Sequence, residues 1–146
     1  MTVNSLTKYY QIKGKFDLDG TSLVMKVPET GHVTTQTLPL TEEVLGKYLP
    51  TIFGCQCFND ANKNFREESK NTELGHLFEH IMLEYLCMEK LKDNEDASYE
   101  GKTSWNWEKD PKGTFYIEIM TGMEDVELIK KAFNKSIGLL KRILTD

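Results

Sequence analysis

The sequence predicts one α+β domain over residues 1–146, with two long helices packed on one face of an antiparallel β-sheet. Segments rich in β-branched and aromatic residues are separated by short turns, which is typical of antiparallel strands. Two longer segments, 71–92 and 123–145, carry apolar residues at helical spacing. A chain of 146 residues is long enough to bury one hydrophobic core and leaves little room for two.

The first third of the chain is predicted to consist mainly of strands. Residues 8–17 are rich in aromatic and β-branched side chains, and residues 23–27 alternate apolar with other side chains. The dipeptide Asp19-Gly20 between them is a turn signal. Residues 33–38, rich in threonine, are a third candidate strand.

The middle of the chain is predicted to contain a short helix that begins at Thr41, followed by a polar surface loop over residues 55–70. Further on, residues 103–108 and 114–121 are predicted to form two strands. The segment 110–113, with its proline and glycine, would join them by a tight turn.

The apolar stripe on the last helix bears on oligomeric state. Phe133 and Leu140 belong to this stripe, and Met120 and Met123 lie just before it. Because these side chains exceed what one small domain is expected to cover, the chain is predicted to be at least a dimer.

Composition and charge exclude several classes of function. The formal net charge is −5, with no basic tail, so nucleic acid is an unfavourable partner and a cationic ligand a favourable one. No apolar run is long enough to span a membrane, and the N-terminus lacks the apolar core of a signal peptide, so a cytoplasmic protein is expected. The three cysteines, Cys55, Cys57 and Cys87, are therefore expected to be free thiols or metal ligands.

The segment His76-Leu77-Phe78-Glu79-His80 lies within the first predicted long helix. Its two histidines are one helical turn apart, so both imidazoles project from one face and are able to bind the same zinc ion. Glu79 lies beside them, where a carboxylate can take a proton from a metal-polarised water. His-x-x-Glu-His is the inverted form of the zincin motif.

A simpler interpretation of this segment remains open, and so does the role of Glu84. The motif is also compatible with a helix that carries two exposed histidines and an ordinary surface glutamate. Glu84, one turn after His80, either orients a ligand imidazole or is solvated.

A third metal ligand must come from outside the helix. Glu118 is an acid among apolar residues of the strand over 114–121, and Glu108 is an alternative on the preceding strand. Cys57 is a soft donor that zinc accepts readily. The competing interpretations are a polar strand face for Glu118 and a small buried residue for Cys57. The sequence favours Glu118.

Trp105 and Trp107 alternate along the predicted strand 103–108 and would share one of its faces. They are either core residues or a platform for cationic side chains, because an aromatic face attracts a guanidinium group. Lys102, just before them, is a further candidate for binding substrate.

Taken in order, these segments resemble the N-terminal domain of cyanophycin synthetases over roughly residues 20–146. The resemblance is carried by a Leu-Pro segment before a cysteine, the Gly-His-x-x-Glu-His helix, a Gly-Lys-Thr segment and a strand ending in an acid. These residues are Leu49-Pro50 to Cys57, Gly75 to His80, Gly101-Lys102-Thr103 and Gly113 to Glu118.

In some members of that family the domain both holds cyanophycin, a poly-aspartate chain bearing arginines, and carries a metallopeptidase-like site that cuts the polymer into primers. The resemblance therefore implies His76 and His80 as ligands of a zinc ion and Glu79 as the base. Lys102 stands where the family usually has arginine, and the acidic segment 93–100 looks like an insertion.

Two functions are consistent with the resemblance. The leading hypothesis is a zinc-dependent peptide hydrolase that acts on a cyanophycin-like, arginine-bearing polymer or peptide. The alternative is a non-catalytic polymer-binding or regulatory module that works with a separate ligase. The sequence has no phosphate-cradling glycine loop, so the chain is not expected to act as a synthetase by itself.

Overall fold

A computed structural model describes residues 2–17, 20–54, 65–91, 99–120 and 126–145 of the chain. The described residues form a sheet of five strands, which are β1 (Thr2–Leu6), β2 (Gln11–Asp17), β3 (Gly20–Lys26), β4 (Glu100–Ser104) and β5 (Thr114–Met120). Every neighbouring pair is antiparallel, and the spatial order is β1-β2-β3-β5-β4. β1 and β4 are therefore the two edges of the sheet.

The α-helices of the described residues are α1 (Thr41–Tyr48), α2 (Phe65–Glu68), α3 (Leu74–Leu91) and α4 (Val126–Thr145). α3 contacts β4 and β5, α4 contacts β2, and the two helices contact each other. The predicted α+β arrangement of an antiparallel sheet with two long helices packed on it is confirmed. None of the described helices combines the length and the apolar character needed to cross a bilayer.

One face of the sheet is covered by the helices and the other is open. Along β5, side chains alternate between the two faces. Those buried on the covered face are Phe115, Ile117 and Ile119, and those exposed on the open face are Tyr116, Glu118 and Met120. Burying each large apolar side chain contributes roughly 1.5–3 kcal/mol, which holds the helices on this face.

The apolar stripe of α4 is covered within the domain. Phe133 is 6% exposed and packs edge-on against the rings of Phe16 and Phe78, and Leu140 is fully buried. These two residues of the stripe are therefore covered within one chain, and the predicted dimer stays a prediction. Met120 is exposed, and Met123 lies outside the described residues.

The strand β1 was not expected from the sequence. Its segment, Thr2–Leu6, is short and contains no aromatic residue, so its strand signal is weak. It is ordered by pairing with β2 in a register that sets Thr2 opposite Lys15 and Leu6 opposite Gln11. The predicted strand over 8–17 is present in its later part, as β2.

The predicted strand over residues 33–38 is wrong. Thr35–Thr37 forms a short 3-10 helix instead. The buried Thr35 hydroxyl donates to the carbonyl of Ser69 at 2.7 Å and accepts from the backbone N–H of Thr72 at 3.0 Å. Both partners lie more than thirty positions along the chain, so tertiary contacts and not local strand propensity set the conformation of this segment.

The predicted strand over residues 103–108 is correct only at its start, because β4 ends at Ser104. Asn106 interrupts it, since its carbonyl accepts from the backbone N–H of Asp110 at 2.9 Å and closes a turn. The turn before β5 is confirmed, and Gly113 there has a φ of 95°, which glycine adopts without strain.

Candidate functional site

The helix α3 fixes the orientation of the His-x-x-Glu-His segment. Its start is tied to the rest of the chain because the backbone N–H of Leu74 donates to the carbonyl of Val33 at 2.8 Å. Its apolar side packs in the core through Leu74, Leu77, Phe78, Ile81 and Met82, all fully buried. The helical repeat then sets His76, Glu79 and His80 around the remaining side, as the sequence predicts.

The two histidines converge on one point. Their Nε2 atoms lie 3.0 Å apart, and the rings are nearly perpendicular, with centroids 4.6 Å apart. Two nitrogens that bind one tetrahedral zinc at about 2.0–2.1 Å would lie roughly 3.3 Å apart. The observed spacing is close to that of a shared ligand pair, and it also allows a hydrogen bond between the two rings.

The outer nitrogen of His76 is held by a short polar chain. Nδ1 of His76 lies 2.8 Å from the hydroxyl of Thr72, which donates to Oε1 of Glu68 at 3.1 Å. Because that hydroxyl proton is used toward Glu68, the network assigns the proton of His76 to Nδ1. The lone pair of Nε2 is then directed to the point shared with His80.

Burial keeps both imidazoles neutral. It lowers the pKa of His76, with Glu68 acting in the opposite direction. Burial, and then the nearby His76, lowers the pKa of His80 to about 3. The ring of His80 also stacks on Phe65, with centroids 4.4 Å apart. Neutral imidazole is the form that binds a metal ion.

Glu79 is a buried carboxylate on the side of α3 that contacts β4. It is 6% exposed, and its Oε1 accepts a hydrogen bond from the Thr103 hydroxyl at 2.6 Å. Burial raises the pKa of Glu79, and the Thr103 hydrogen bond opposes that rise. A raised carboxyl pKa is characteristic of a group that exchanges protons near neutral pH.

Gly101 makes room for this carboxylate. A Cβ atom at Gly101 would lie 3.0 Å from both Cγ and Oε2 of Glu79, closer than side-chain atoms normally approach. Gly101 and Thr103 thus act together, one leaving space for Glu79 and the other donating to it. Neither role was predicted from the sequence.

The chain matches the model of a known protein family. The model of the cyanophycin synthase-like N-terminal domain matches residues 22–144, most of the chain. The chain belongs to this family. A search of curated proteins finds no significant match.

The cyanophycin synthase-like match includes α3, β4 and β5. The structure does not place every residue predicted for the site near the two histidines. Glu118 points to the open face of the sheet, opposite the covered face on which α3 lies. It pairs across the strands with Lys102, which is exposed on the same open face. Both side chains are therefore directed away from His76 and His80.

The two tryptophans do not lie on a strand face, because β4 ends before them. Their rings lie 6.3 Å apart, and both pack edge-on against Phe115, at 5.5 Å for Trp105 and 5.6 Å for Trp107. Phe115 in turn packs against α3 at Gly75. The cluster therefore adjoins the start of the motif helix, and Trp105 keeps 39% of its surface exposed.

Among the described residues, none of the other candidate ligands completes a metal site with the two histidines. Glu84 is half-buried on α3, and Glu108 is exposed in the turn after β4. Cys57 lies outside the described residues, as does most of the acidic segment 93–100. Within the described ranges, no group of three His, Cys, Asp or Glu side chains is arranged to hold a metal ion.

The sequence reasoning missed the supporting residues of the histidine pair. Glu68, Thr72, His76 and His80 recur at intervals of four, and this polar repeat is a signal that could have found Glu68. The repeat does not lie on one helix, however, since α2 ends at Glu68 and α3 begins at Leu74.

Proposed function

We propose that this cyanophycin synthase-like domain is a zinc-dependent peptide hydrolase that acts on a cyanophycin-like, arginine-bearing polymer or peptide. The observation that carries the proposal is the convergence of the His76 and His80 Nε2 atoms, 3.0 Å apart, on the helix that also carries the buried carboxylate of Glu79. Two neutral imidazoles and a separate carboxylate are the parts that such a site requires.

The proposed zinc ion would be held by His76, His80 and a third ligand. We assign that ligand to Cys57, because Glu118 faces away from the histidines. When bound, zinc lowers the pKa of a water and polarises a carbonyl oxygen.

Glu79 carries the proton transfer. It takes a proton from the attacking water as the water oxygen bonds to the carbonyl carbon, and it gives that proton to the amine nitrogen as the C–N bond breaks. The hydrogen bond from Thr103 fixes the orientation of this carboxylate. His76 is kept in the ligand tautomer by Thr72 and Glu68.

Substrate selection follows from charge and from the aromatic cluster. The net charge of −5 attracts a cationic chain, and the exposed part of Trp105 offers a ring face to a guanidinium group. The tryptophans adjoin the start of α3 through Phe115, so an arginine stacked there would lie near the motif helix.

The second candidate function is a polymer-binding or regulatory module without turnover that works with a separate ligase. The net charge of −5 and the partly exposed Trp105 support this function as well, because neither feature requires turnover. Such a module would bind the polymer whether or not zinc is present.

Metal analysis combined with a digestion assay distinguishes the two functions. Purified protein is analysed for zinc, then treated with a chelator, and both forms are incubated with an arginine-bearing poly-aspartate while fragments are followed by mass spectrometry. The hydrolase binds about one zinc per chain, releases fragments and loses activity with the chelator until zinc is restored.

Matched histidine variants complete the test. His76→Ala should lose the metal and the activity, whereas His32→Ala should keep both, because His32 lies outside the motif and its ring bonds to Thr37. Polymer binding that survives the chelator, without fragments from any form, would establish the binding module instead. Equal release of fragments by the chelator-treated protein would show that hydrolysis does not require a metal ion.

A further inference from the structure

The two edges of the sheet differ in how they are protected against pairing with another strand. Each edge strand presents backbone N–H and C=O groups that no neighbouring strand of the described sheet satisfies. β4 carries the charged Glu100 and Lys102, which disfavour pairing, and it contacts α3. β1, with the sequence Thr-Val-Asn-Ser-Leu, contains neither a charge nor a proline. Natural proteins usually supply one of these protections at a free edge.

The surroundings of β1 also leave apolar surface uncovered. Leu6, at the end of the strand, is 71% exposed, the most exposed of the large apolar side chains described. On the helix side, a groove of about 270 Å³ separates β1 from α4. Its lining residues are Val3, Asn4, Phe16, Lys130, Phe133 and Asn134.

We propose that a second copy of this chain pairs with β1, antiparallel and about a two-fold axis at Asn4, so that the two sheets become one continuous sheet. In this register Asn4 lies opposite the partner's Asn4. Val3 lies opposite the partner's Ser5, and Leu6 opposite the partner's Thr2. The interface is formed by strand pairing at the edge and not by the stripe of α4.

A second copy fits this edge better than a charged partner. Because β1 has no charged residue, self-pairing sets no like charges opposite each other within the ladder. Leu6 gains the partner's Thr2 as a cross-strand neighbour on the open face. On the helix side, the charge of Lys130 at the groove is already paired with Glu127 at 3.1 Å, so an uncharged strand can approach it.

The size of the contact sets its strength. A strand of five residues buries less surface than a standard stable interface, so the dimer is expected to be weak, with Kd on the order of 10–100 µM. Sedimentation velocity over about 5–200 µM should then show the dimer fraction rising with concentration. A wild-type protein that stays monomeric throughout this range overturns the proposal.

A charge introduced at each edge tests which strand forms the contact. Asn4→Lys sets two lysines opposite each other at the axis and should weaken the dimer at least about tenfold. Ser104→Lys is the matched control, since it introduces the same exposed charge on β4, and it should leave the dimer unchanged. Far-UV circular dichroism checks that both variants fold. Equal effects of the two variants, or an effect of Ser104→Lys alone, would refute the β1 interface.

Cysteine crosslinking tests the register. With Cys55, Cys57 and Cys87 replaced by serine, Asn4→Cys should oxidise to a covalent dimer, because opposed residues in an antiparallel pair have Cα atoms about 4.5–5.5 Å apart. Thr2→Cys should not, since the two copies of that position would be separated by roughly 13 Å. Crosslinking at position 2 but not at position 4 would overturn the two-fold at Asn4. The same result is expected with His76→Ala, because the interface does not involve the metal.

Discussion

The two polar sides of α3 are built in different ways, although both belong to one five-residue motif. The histidine side is supported by residues close in the chain, from Phe65 and Glu68 through Thr72. The carboxylate side is supported by a strand that comes more than twenty residues later, through Gly101 and Thr103. The proposed metal binding and the proposed proton transfer would therefore be supported independently, and mutations should separate them.

The largest expected effect is on the carboxylate side. Glu79→Gln keeps the size of the side chain and removes the base, so turnover should fall by about 10² or more. Zinc content should stay nearly unchanged, because Glu79 is not assigned as a ligand. Steady-state kinetics and elemental analysis of the same preparation measure both quantities, with Glu118→Gln on the open face as the matched control. Loss of zinc in Glu79→Gln would make Glu79 a ligand and contradict the division of roles.

The next effect is on the histidine side. Thr72→Val removes the hydroxyl that holds Nδ1 of His76 while keeping nearly the same shape. Loss of such a support typically costs about 10–100-fold in metal affinity. Competition with a chromophoric chelator measures the affinity. Thr103→Val should leave the metal affinity unchanged. An equal loss of metal affinity in the two variants would show that the two polar sides of α3 are not independent.

A smaller effect is expected in the pH dependence of turnover. The Thr103 hydrogen bond lowers the pKa of Glu79 against the rise caused by burial, so Thr103→Val should raise that pKa further. Because the base acts only when deprotonated, activity is lost as pH falls through its pKa, and the acidic limb should move to higher pH. The kcat profile reports this shift. If the acidic limb of the kcat profile does not move in Thr103→Val, a group other than Glu79 determines the pH at which activity is lost.

The last effect concerns stability without metal. In the folded protein the pKa of His80 is about 3, against 6.5 for the exposed group, so the unfolded chain binds the additional proton between these values. Stability should therefore decrease as pH falls from about 6.5 towards 3. Urea unfolding in the presence of a chelator should show a weaker pH dependence for His80→Gln than for the wild type. If His80→Gln and the wild type show the same pH dependence, the loss of stability at acidic pH comes from groups other than His80.

Much of the fold could be predicted because its signals are local. The turn at residues 110–113 and the helix α3 depend on residue types and spacing within a few positions. The strand β1 was missed because it is ordered by its partner β2 and not by its own composition. β4 ends early because Asn106 begins a turn. The tryptophans that alternate on either side of Asn106 suggested a strand instead.

The sequence by itself determined that His76 and His80 share a face of α3, because the backbone hydrogen bonds of a helix fix the angle between positions four apart. Only the tertiary structure decided which face of a strand meets that helix. A shift of one residue in strand register reverses every side chain, and the register depends on neighbours far along the chain. For this reason Thr103 reaches Glu79, while Glu118, which the sequence favoured as a ligand, lies on the opposite side of the sheet.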